Sequence, residues 1–208
     1  MSEGKVPDTW WVTAMATIEP TTRREIVLPA PPYTVDDLLK FPNDGNRYEL
    51  FNGSLLVSPA PTKLHQLALY QVQRILDVAA PPELLLLSNV NLRVSAEDQY
   101  IPDFVVATEE SLYTDKLVFS PEELLLAVEV VSPSTKMRDK SLKAAAYAEA
   151  GIPVYWRIEL DEGPTLYVYE LNGDSYNPPT AYKAGQIANL TTPFAVSFDP
   201  GDLERSRR

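Results

Sequence analysis

From Leu124 the sequence reads LLLAVEVVSPSTKMRDKSLKAAAYAEAG, a stretch that ends at Gly151. Its opening LLLAVEVV is apolar except for Glu129, which predicts a strand buried on both faces at the centre of a sheet. A helix is expected from about Thr135 to Ala150, because Gly151 and the proline two residues later are signals that end helices. A carboxylate inside such a strand costs several kcal/mol unless another group pairs with it. Glu129 therefore predicts a partner.

A second carboxylate lies on the predicted strand before this one, in YIPDFVVATEE from Tyr100 to Glu110. Strands that are neighbours in sequence usually pair in space, so Asp103 and Glu129 are expected to converge at one edge of the sheet. Two oxygen donors without histidine or cysteine suit a hard cation such as Mg²⁺ or Mn²⁺. Such an ion could lower the pKa of a bound water and stabilise the charge of a phosphodiester transition state. The alternatives are an ordinary turn acid at Asp103 and a buried ion pair without chemistry at Glu129.

The other periodic segments predict one α+β domain with a helix packed on a mixed sheet. A short helix capped by Thr34 precedes a hairpin at Asn52-Gly53, and a long helix runs from Thr62 to about Ala79. Further strands are expected near 84–94 and 100–107, and in IPVYWRIEL, PTLYVYEL, TAYKAG and PFAVSF. The chain is predicted to consist of an N-terminal arm over residues 1–31, one domain over residues 32–200 and a C-terminal tail over residues 201–208.

The order of the motifs resembles a known nuclease family. Pro102-Asp103, followed by Glu129 in EVV, is similar to the PD-(D/E)xK signature of restriction-endonuclease-like nucleases. The segments RYELFNG, SPAPTKLHQ, YIPDFVV and the run from AVEVV to VYW resemble, in this order, the Uma2 family of endonucleases, once catalogued as the domain of unknown function DUF820. This resemblance covers about residues 33–160. It implies a restriction-endonuclease-like fold, with a central mixed β-sheet flanked by helices, and a Mg²⁺- or Mn²⁺-dependent endonuclease that hydrolyses phosphodiester bonds of DNA.

The sequence departs from the signature at the lysine of E-x-K, because Val131 stands two residues after Glu129. The resemblance implies that Lys143, on the following helix, supplies this charge. Asp103, Glu129 and Lys143 would then be the catalytic residues, and Asp103 and Glu129 would hold the metal. The apolar residues in KAAAYAEA recur at helical spacing from Lys143, which places its side chain on the face that packs on the sheet. Its ammonium is therefore expected within about 3 to 6 Å of the Glu129 or Asp103 carboxylate.

Several further residues are candidates for supporting roles, each with an ordinary structural alternative. Asp139 lies one helical turn before Lys143 and could hold its ammonium, or the two could form a surface ion pair. The resemblance implies that Glu49, in YELFNG, is a further acid near the metal and that His65 lies near the site. The alternatives are a solvated hairpin glutamate and a structural or capping histidine. The basic residues that could contact phosphate, or simply face solvent, are Lys136, Arg138 and Lys140.

The composition limits the classes of function. The 208 residues include no cysteine and one histidine, which excludes a disulfide framework and argues against a zinc site. The net charge of -11 argues against a protein that coats nucleic acid by bulk attraction, so contact with DNA is expected to be local. A small-molecule enzyme has no support, because the chain shows neither a phosphate-binding glycine loop nor a nucleophile elbow.

The sequence also bears on where the protein is located and how it assembles. No apolar run is long enough to cross a membrane, and the first residues lack the basic start and apolar block of a signal peptide, so a cytoplasmic protein is expected. A homodimer is expected by analogy, because cutting two strands needs two sites. Two functions stay open. The D, E, K set favours a metal-dependent endonuclease, and the acidic surface favours a catalytically silent nuclease-like fold that acts as a protein or nucleic-acid interaction scaffold.

Overall fold

The fold is seen in a computed structural model that describes residues 30–41, 45–58, 60–113, 117–131 and 142–205. The α-helices in these ranges are α1 (Val35–Leu38), α2 (Lys63–Ala79) and α3 (Ala144–Glu149). The strands are β1 (Arg47–Phe51), β2 (Ser54–Ser58), β3 (Leu84–Ser88), β4 (Leu92–Arg93), β5 (Gln99–Tyr100), β6 (Phe104–Thr108), β7 (Leu124–Val131), β8 (Val154–Glu159), β9 (Thr165–Asn172), β10 (Ser175–Tyr176), β11 (Thr180–Lys183), β12 (Ala188–Leu190) and β13 (Val196–Phe198). Short 3-10 helices lie at Glu109–Tyr113, Pro121–Glu123 and Pro200–Glu204.

Seven strands form the main sheet, in the order β10-β9-β8-β7-β6-β3, with β11 also paired to β9. Neighbouring strands run antiparallel except β7 and β8, which are parallel. The sheet is therefore mixed, as the sequence predicts. The apolar strand β7 lies between β6 and β8, and its residues are buried apart from the half-buried Leu125. This confirms the prediction that β7 is covered on both faces.

Helices cover both faces of the main sheet. On one face, Val72 of α2 belongs to the same core cluster as Val128 of β7. On the opposite face, Tyr147 of α3 belongs to a second cluster with Ala127 of β7 and Tyr155 of β8. Successive side chains of a strand point to opposite faces, so Ala127 and Val128 enter different clusters. Glu129, the next residue, consequently faces the α3 side of the sheet.

A smaller sheet of four strands has the order β2-β1-β5-β4, and β3 of the main sheet lies between β2 and β4 in the chain. The predicted hairpin joins β1 to β2, and both of its turn residues have positive φ, 46° at Asn52 and 69° at Gly53. Leu50 of β1 pairs with Gln99 of β5. After β5 the chain passes through Pro102 into β6 of the main sheet. This corner carries Asp103 to the junction of the two sheets.

Two predicted strands are each divided between the sheets. The strand expected near 84–94 forms β3 and β4, because Asn89 adopts a φ of 56° and interrupts the extended backbone. The strand expected near 100–107 forms β5 and β6, because Pro102 has no N–H to donate to a ladder. The short strands β10 and β12 are additional to the predicted ones, since two or three residues cannot show an alternating pattern.

Some predicted parts of the chain lie outside the described residues. They include residues 1–29 of the arm, residues 206–208 of the tail and residues 132–141 of the segment that contains the start of the predicted helix. The predicted boundaries of arm, domain and tail stay predictions, although Leu203 is buried in the core cluster that contains α2 side chains. In the described part of the chain, no helix has the length and apolar character needed to cross a membrane.

Gly53→Ala should destabilise the fold more than the matched control Gly173→Ala. Both glycines have positive φ, 69° and 68°, so each substitution carries a similar conformational cost of about 1 kcal/mol. A Cβ at Gly53 would also stand 2.5 Å from the Cβ of Pro32, whereas no described atom lies within 4 Å of a Cβ at Gly173. Urea unfolding should show an additional loss of about 1 to 3 kcal/mol for Gly53→Ala. Equal losses would mean that Pro32 does not constrain the hairpin.

Candidate active site

Asp103 and Glu129 lie opposite each other where β6 meets β7. Phe104 pairs with Val128 in this antiparallel ladder, so the next pair places Asp103 beside Glu129 on the same face. The backbone N–H of Val130 donates to Oδ2 of Asp103 at 2.9 Å. The carboxylate thus takes the place of a ladder carbonyl at the point where Pro102 turns the chain. The convergence expected from the sequence is present.

His65 and Arg47 hold Asp103 from two other elements. Nε2 of His65, in the first turn of α2, donates to Oδ2 of Asp103 at 3.1 Å. A guanidinium nitrogen of Arg47, on β1, lies 3.6 Å from Oδ1. Burial acts to raise the pKa of Asp103, but the hydrogen bonds from His65 and Val130 and the nearby positive charges outweigh it and hold the pKa below its usual value. Asp103 is therefore an ionised carboxylate at neutral pH, and His65 lies at the site as the resemblance implies.

Lys143 lies inside the structure, between two carboxylates. Its Nζ donates to Oε1 of Glu129 at 2.8 Å and to Oε1 of Glu49 at 3.1 Å. Lys143 is only 9 % exposed, so the alternative of a surface lysine is wrong. The predicted position of the ammonium is confirmed, with the helical lysine beside the acid although Val131 occupies the usual lysine position. The hydroxyl of Tyr147, one turn later, donates to the same oxygen of Glu129 at 2.7 Å.

Glu49 is the third acid of this network. Its Oε1 also accepts the backbone N–H of Ile101 at 2.8 Å, and its Oε2 accepts the hydroxyl of Ser58 at 3.1 Å. Glu49 is 4 % exposed, which excludes the alternative of a solvated hairpin glutamate. Because Ile101 belongs to the corner that carries Asp103, Glu49 ties the hairpin, the corner and Lys143 together.

The environment of Glu129 disfavours its charge. Burial raises the pKa of Glu129 to about 8, the ammonium of Lys143 opposes this shift, and the charges of Asp103 and Glu49 add to it. Burial, with Glu129 nearby, also keeps the pKa of Tyr147 well above its usual value, so Tyr147 remains a hydrogen-bond donor. Binding of a cation close to Glu129 would therefore be favourable, because it would reduce the repulsion among the three acids.

An additional buried ion pair, which was not predicted from the sequence, lies beside the network. Arg157 pairs with Glu129 across β7 and β8, so both point to the same face. A guanidinium nitrogen of Arg157 lies 3.1 Å from Oε1 of Glu159, and its guanidinium carbon lies 4.4 Å from the centre of the Tyr167 ring. The signal was available in VYWRIEL, where two charges interrupt an apolar strand as Glu129 interrupts β7. Tyr147 gave no comparable signal, because an aromatic residue on a packed helix face is ordinary.

Asp103 and Glu129 offer oxygen donors of the kind that a hard cation requires. Among the described residues, no three histidine, cysteine, aspartate or glutamate side chains form a group that could by itself hold a metal ion. Mg²⁺ in nuclease-type sites is instead held by one or two carboxylates, with water and substrate phosphate completing its shell. The hydrogen bonds described above fall on Oδ2 of Asp103 and Oε1 of Glu129. An ion held here would use their other oxygens, Oε2 of Glu129 and Oδ1 of Asp103, the second of which lies 3.6 Å from a guanidinium nitrogen of Arg47.

Four candidate residues lie outside the described part of the chain. They are Lys136, Arg138, Asp139 and Lys140. The roles assigned to them, support of Lys143 by Asp139 and phosphate contact by the three basic residues, stay predictions.

The Uma2 family model, described as "Putative restriction endonuclease", matches residues 35–201. The chain belongs to the Uma2 family. No match to this Uma2 protein was found among curated proteins.

The fold of this Uma2 protein is similar to that in a crystal structure described as "a putative nuclease belonging to DUF820", from Anabaena variabilis. The TM-score is 0.67 at 18% sequence identity, and the match covers 83% of this chain and 97% of that chain. At this identity the likeness concerns the fold. It confirms the predicted α+β class and the restriction-endonuclease-like fold.

The pKa of Glu129 predicts how the stability of the metal-free Uma2 protein depends on pH. The ordinary pKa of 4.5 is raised in the folded state to about 8, so between these values the folded chain binds a proton that the unfolded chain has released. The favourable contribution of Glu129 is complete below the lower value and is lost as pH rises through the upper one. Glu129→Gln removes this dependence. Its free energy of unfolding relative to wild type should therefore increase from about pH 5 to about pH 9, by an amount on the order of a few kcal/mol.

The measurement is urea unfolding in a chelating buffer at several pH values. Glu97→Gln, at an exposed position, is the matched control for the loss of one carboxylate. A flat difference for Glu129→Gln would show that Glu129 is ionised in the folded state throughout this range.

Proposed function

We propose that this Uma2 protein is a metal-dependent DNA endonuclease that hydrolyses phosphodiester bonds at Asp103, Glu129 and Lys143. The observation that supports this most strongly is the position of Lys143. Its ammonium lies 2.8 Å from Glu129, although it comes from the helix and not from the strand. Aspartate, glutamate and lysine are thus assembled at one corner of a restriction-endonuclease-like sheet, an arrangement that suits metal-assisted hydrolysis of a phosphodiester. Membership of the Uma2 family agrees with this function.

Each residue of the network has a definable part in the proposed reaction. Lys143 presents a positive charge in a buried site, where it stabilises the charge that develops on a phosphate oxygen more strongly than it would in water. Glu49 and Tyr147 position Lys143 and Glu129 respectively. His65 and the Val130 amide fix the orientation of Asp103 through Oδ2. Substrate therefore meets groups that need little rearrangement before the chemical step.

Asp103 and Glu129 are the residues proposed to hold Mg²⁺ or Mn²⁺. When bound, the ion would supply Lewis acidity, which makes a water more acidic and neutralises negative charge on the phosphodiester. The raised pKa of Glu129 agrees with this role, because a carboxylate whose charge is disfavoured by burial and by neighbouring acids gains from a cation.

The net charge of -11 affects how DNA would approach the protein. The net charge repels a polyanion, so in this proposal attraction is local and comes from Lys136, Arg138 and Lys140. A homodimer would bring two sites to the two strands of a duplex. A cytoplasmic location would give access to DNA.

A catalytically silent scaffold is the second candidate. The specific observation in its favour is that Lys143 already pairs with two of the three acids, so the network is largely satisfied as a buried structural ion cluster. The net acidity agrees with it as well. The two functions differ in one property, hydrolysis, which can be measured directly.

The wild-type protein should cleave DNA in the presence of Mg²⁺ or Mn²⁺ and should be inactive in a chelating buffer. Lys143→Met, Glu129→Gln and Asp103→Asn should each lower the rate by about 10²-fold or more, because each removes a group that stabilises transition-state charge in a buried site. The substrates are supercoiled plasmid, linear duplex and single-stranded oligonucleotides, followed on gels.

Matched exposed substitutions control for unspecific effects of charge removal. Lys183→Met, Glu97→Gln and Asp174→Asn change the same residue types at exposed positions and should retain wild-type rates. Circular dichroism would confirm that every variant is folded. No cleavage by the folded wild type with either metal would favour the scaffold, whereas undiminished cleavage by folded Lys143→Met would contradict the catalytic role proposed for Lys143.

A further inference from the structure

A cavity opens beside the carboxylate and lysine network and has no part in the function proposed so far. Its volume is about 410 Å³, within the range of small-ligand sites. Its walls come from the β1–β2 hairpin, from Tyr100 of β5 and from the start of the segment that leads into α3. The lining residues are Glu49, Leu50, Phe51, Asn52, Ser54, Leu55, Leu56, Tyr100, Leu142 and Lys143.

The walls of the cavity are apolar and aromatic over most of their surface. The rings of Phe51 and Tyr100 lie with their centres 6.0 Å apart and their planes tilted by 44°. Leu55 and Leu56 are half-buried there, and Asn52 and Ser54 supply polar groups on the hairpin. A flat group with an aromatic face and a hydrogen-bonding edge matches this combination. An unpaired nucleobase is such a group, and stacking on aromatic side chains is the usual way in which proteins bind one.

The cavity and the network share two residues, Glu49 and Lys143. The ring of Tyr100 also contacts the ring of Tyr147 edge-on, with centres 5.7 Å apart, and Tyr147 donates to Glu129. A ligand in the cavity is therefore next to the ammonium of Lys143. In a nucleotide, a single sugar links the base to the phosphodiester. A nucleotide whose base occupies the cavity would therefore have its phosphodiester near Lys143.

We propose that this cavity binds an unpaired nucleobase of the strand that is cut, and this inference rests on the function proposed above. A base that is stacked and paired in a duplex must leave the helix to enter such a cavity, at a cost in free energy that is lowest for a base already unpaired. The preferred substrate is then single-stranded DNA, or a duplex with a locally unpaired base, in preference to continuous duplex. The cavity acts as the specificity site, and the network acts on the adjoining phosphodiester.

The test measures binding without requiring hydrolysis. Fluorescence anisotropy in a chelating buffer compares four labelled probes of one sequence: a single strand, the same strand with one abasic position, a continuous duplex, and a duplex with one unpaired base. The wild type should bind the single strand and the bulged duplex about tenfold more tightly than the continuous duplex. Moving the abasic position along the strand should weaken binding at one position more than at the others.

Leu56→Trp and Val57→Trp form a matched pair of variants. Leu56 lines the cavity and pairs with Glu49 across the hairpin, whereas Val57 is 49 % exposed on the other face of the same strand. Tryptophan at position 56 would fill the cavity and should bring binding of the single strand down to the level of the duplex. Tryptophan at position 57 should leave the preference intact. The abasic series on the wild type gives an answer even if Leu56→Trp does not fold.

The outcomes separate this inference from the proposed function. Equal affinity for all four probes, or an unchanged preference in folded Leu56→Trp, would overturn the nucleobase site even if the wild type cleaves DNA. A preference for unpaired bases that Leu56→Trp removes would support the site, and it would do so even if no metal made the protein cleave.

Discussion

The buried ammonium of Lys143, between the carboxylates of Glu49 and Glu129, is the interaction on which the rest of the site depends. A charge on the α3 side of a central strand is tolerated only with a partner, because its desolvation costs several kcal/mol. That partner is Lys143, the residue directly before α3, so α3 must pack where it does. Glu49 comes from β1, so the small sheet must dock against the main one. Ile101, which donates to Glu49, fixes the corner that carries Asp103.

The same constraint explains why the arrangement suits reaction chemistry. Burial raises the pKa of Glu129 and the neighbouring acids add to this shift, although Lys143 opposes it, so an additional positive charge near Glu129 is favourable. A cation and an anionic substrate that bind together would balance the charges of the network. The cavity beside Lys143 adds an apolar surface to a charged one, which is the combination that a nucleotide presents. According to this proposal, the residues that stabilise the metal-free protein are also those that would act on the substrate once metal and substrate are bound.

The sequence allowed part of this to be predicted, for identifiable reasons. Glu129 is conspicuous because it interrupts an apolar strand, and the helical spacing after Lys143 points that side chain inward. The position of Glu49 against Lys143 could not be derived from local patterns, because it depends on how β1 pairs with β5 through Leu50 and Gln99. The strand near 100–107 was predicted as one element, yet its break at Pro102 is what places Asp103 between the sheets. Arg157 carried the same signal as Glu129 but lies far from it in sequence, and only the register of β8 on β7 makes them neighbours.

A double-mutant cycle on Lys143 and Glu129 tests the central ion pair most directly. The free energies of unfolding of wild type, Lys143→Met, Glu129→Gln and the double variant would be measured by urea denaturation in a chelating buffer at about pH 9, above the pKa of Glu129. A favourable coupling energy above about 1.5 kcal/mol is expected, because methionine leaves a buried carboxylate without its ammonium whereas the double variant does not. Additive effects within about 0.5 kcal/mol would contradict a buried Lys143–Glu129 pair at the centre of the site.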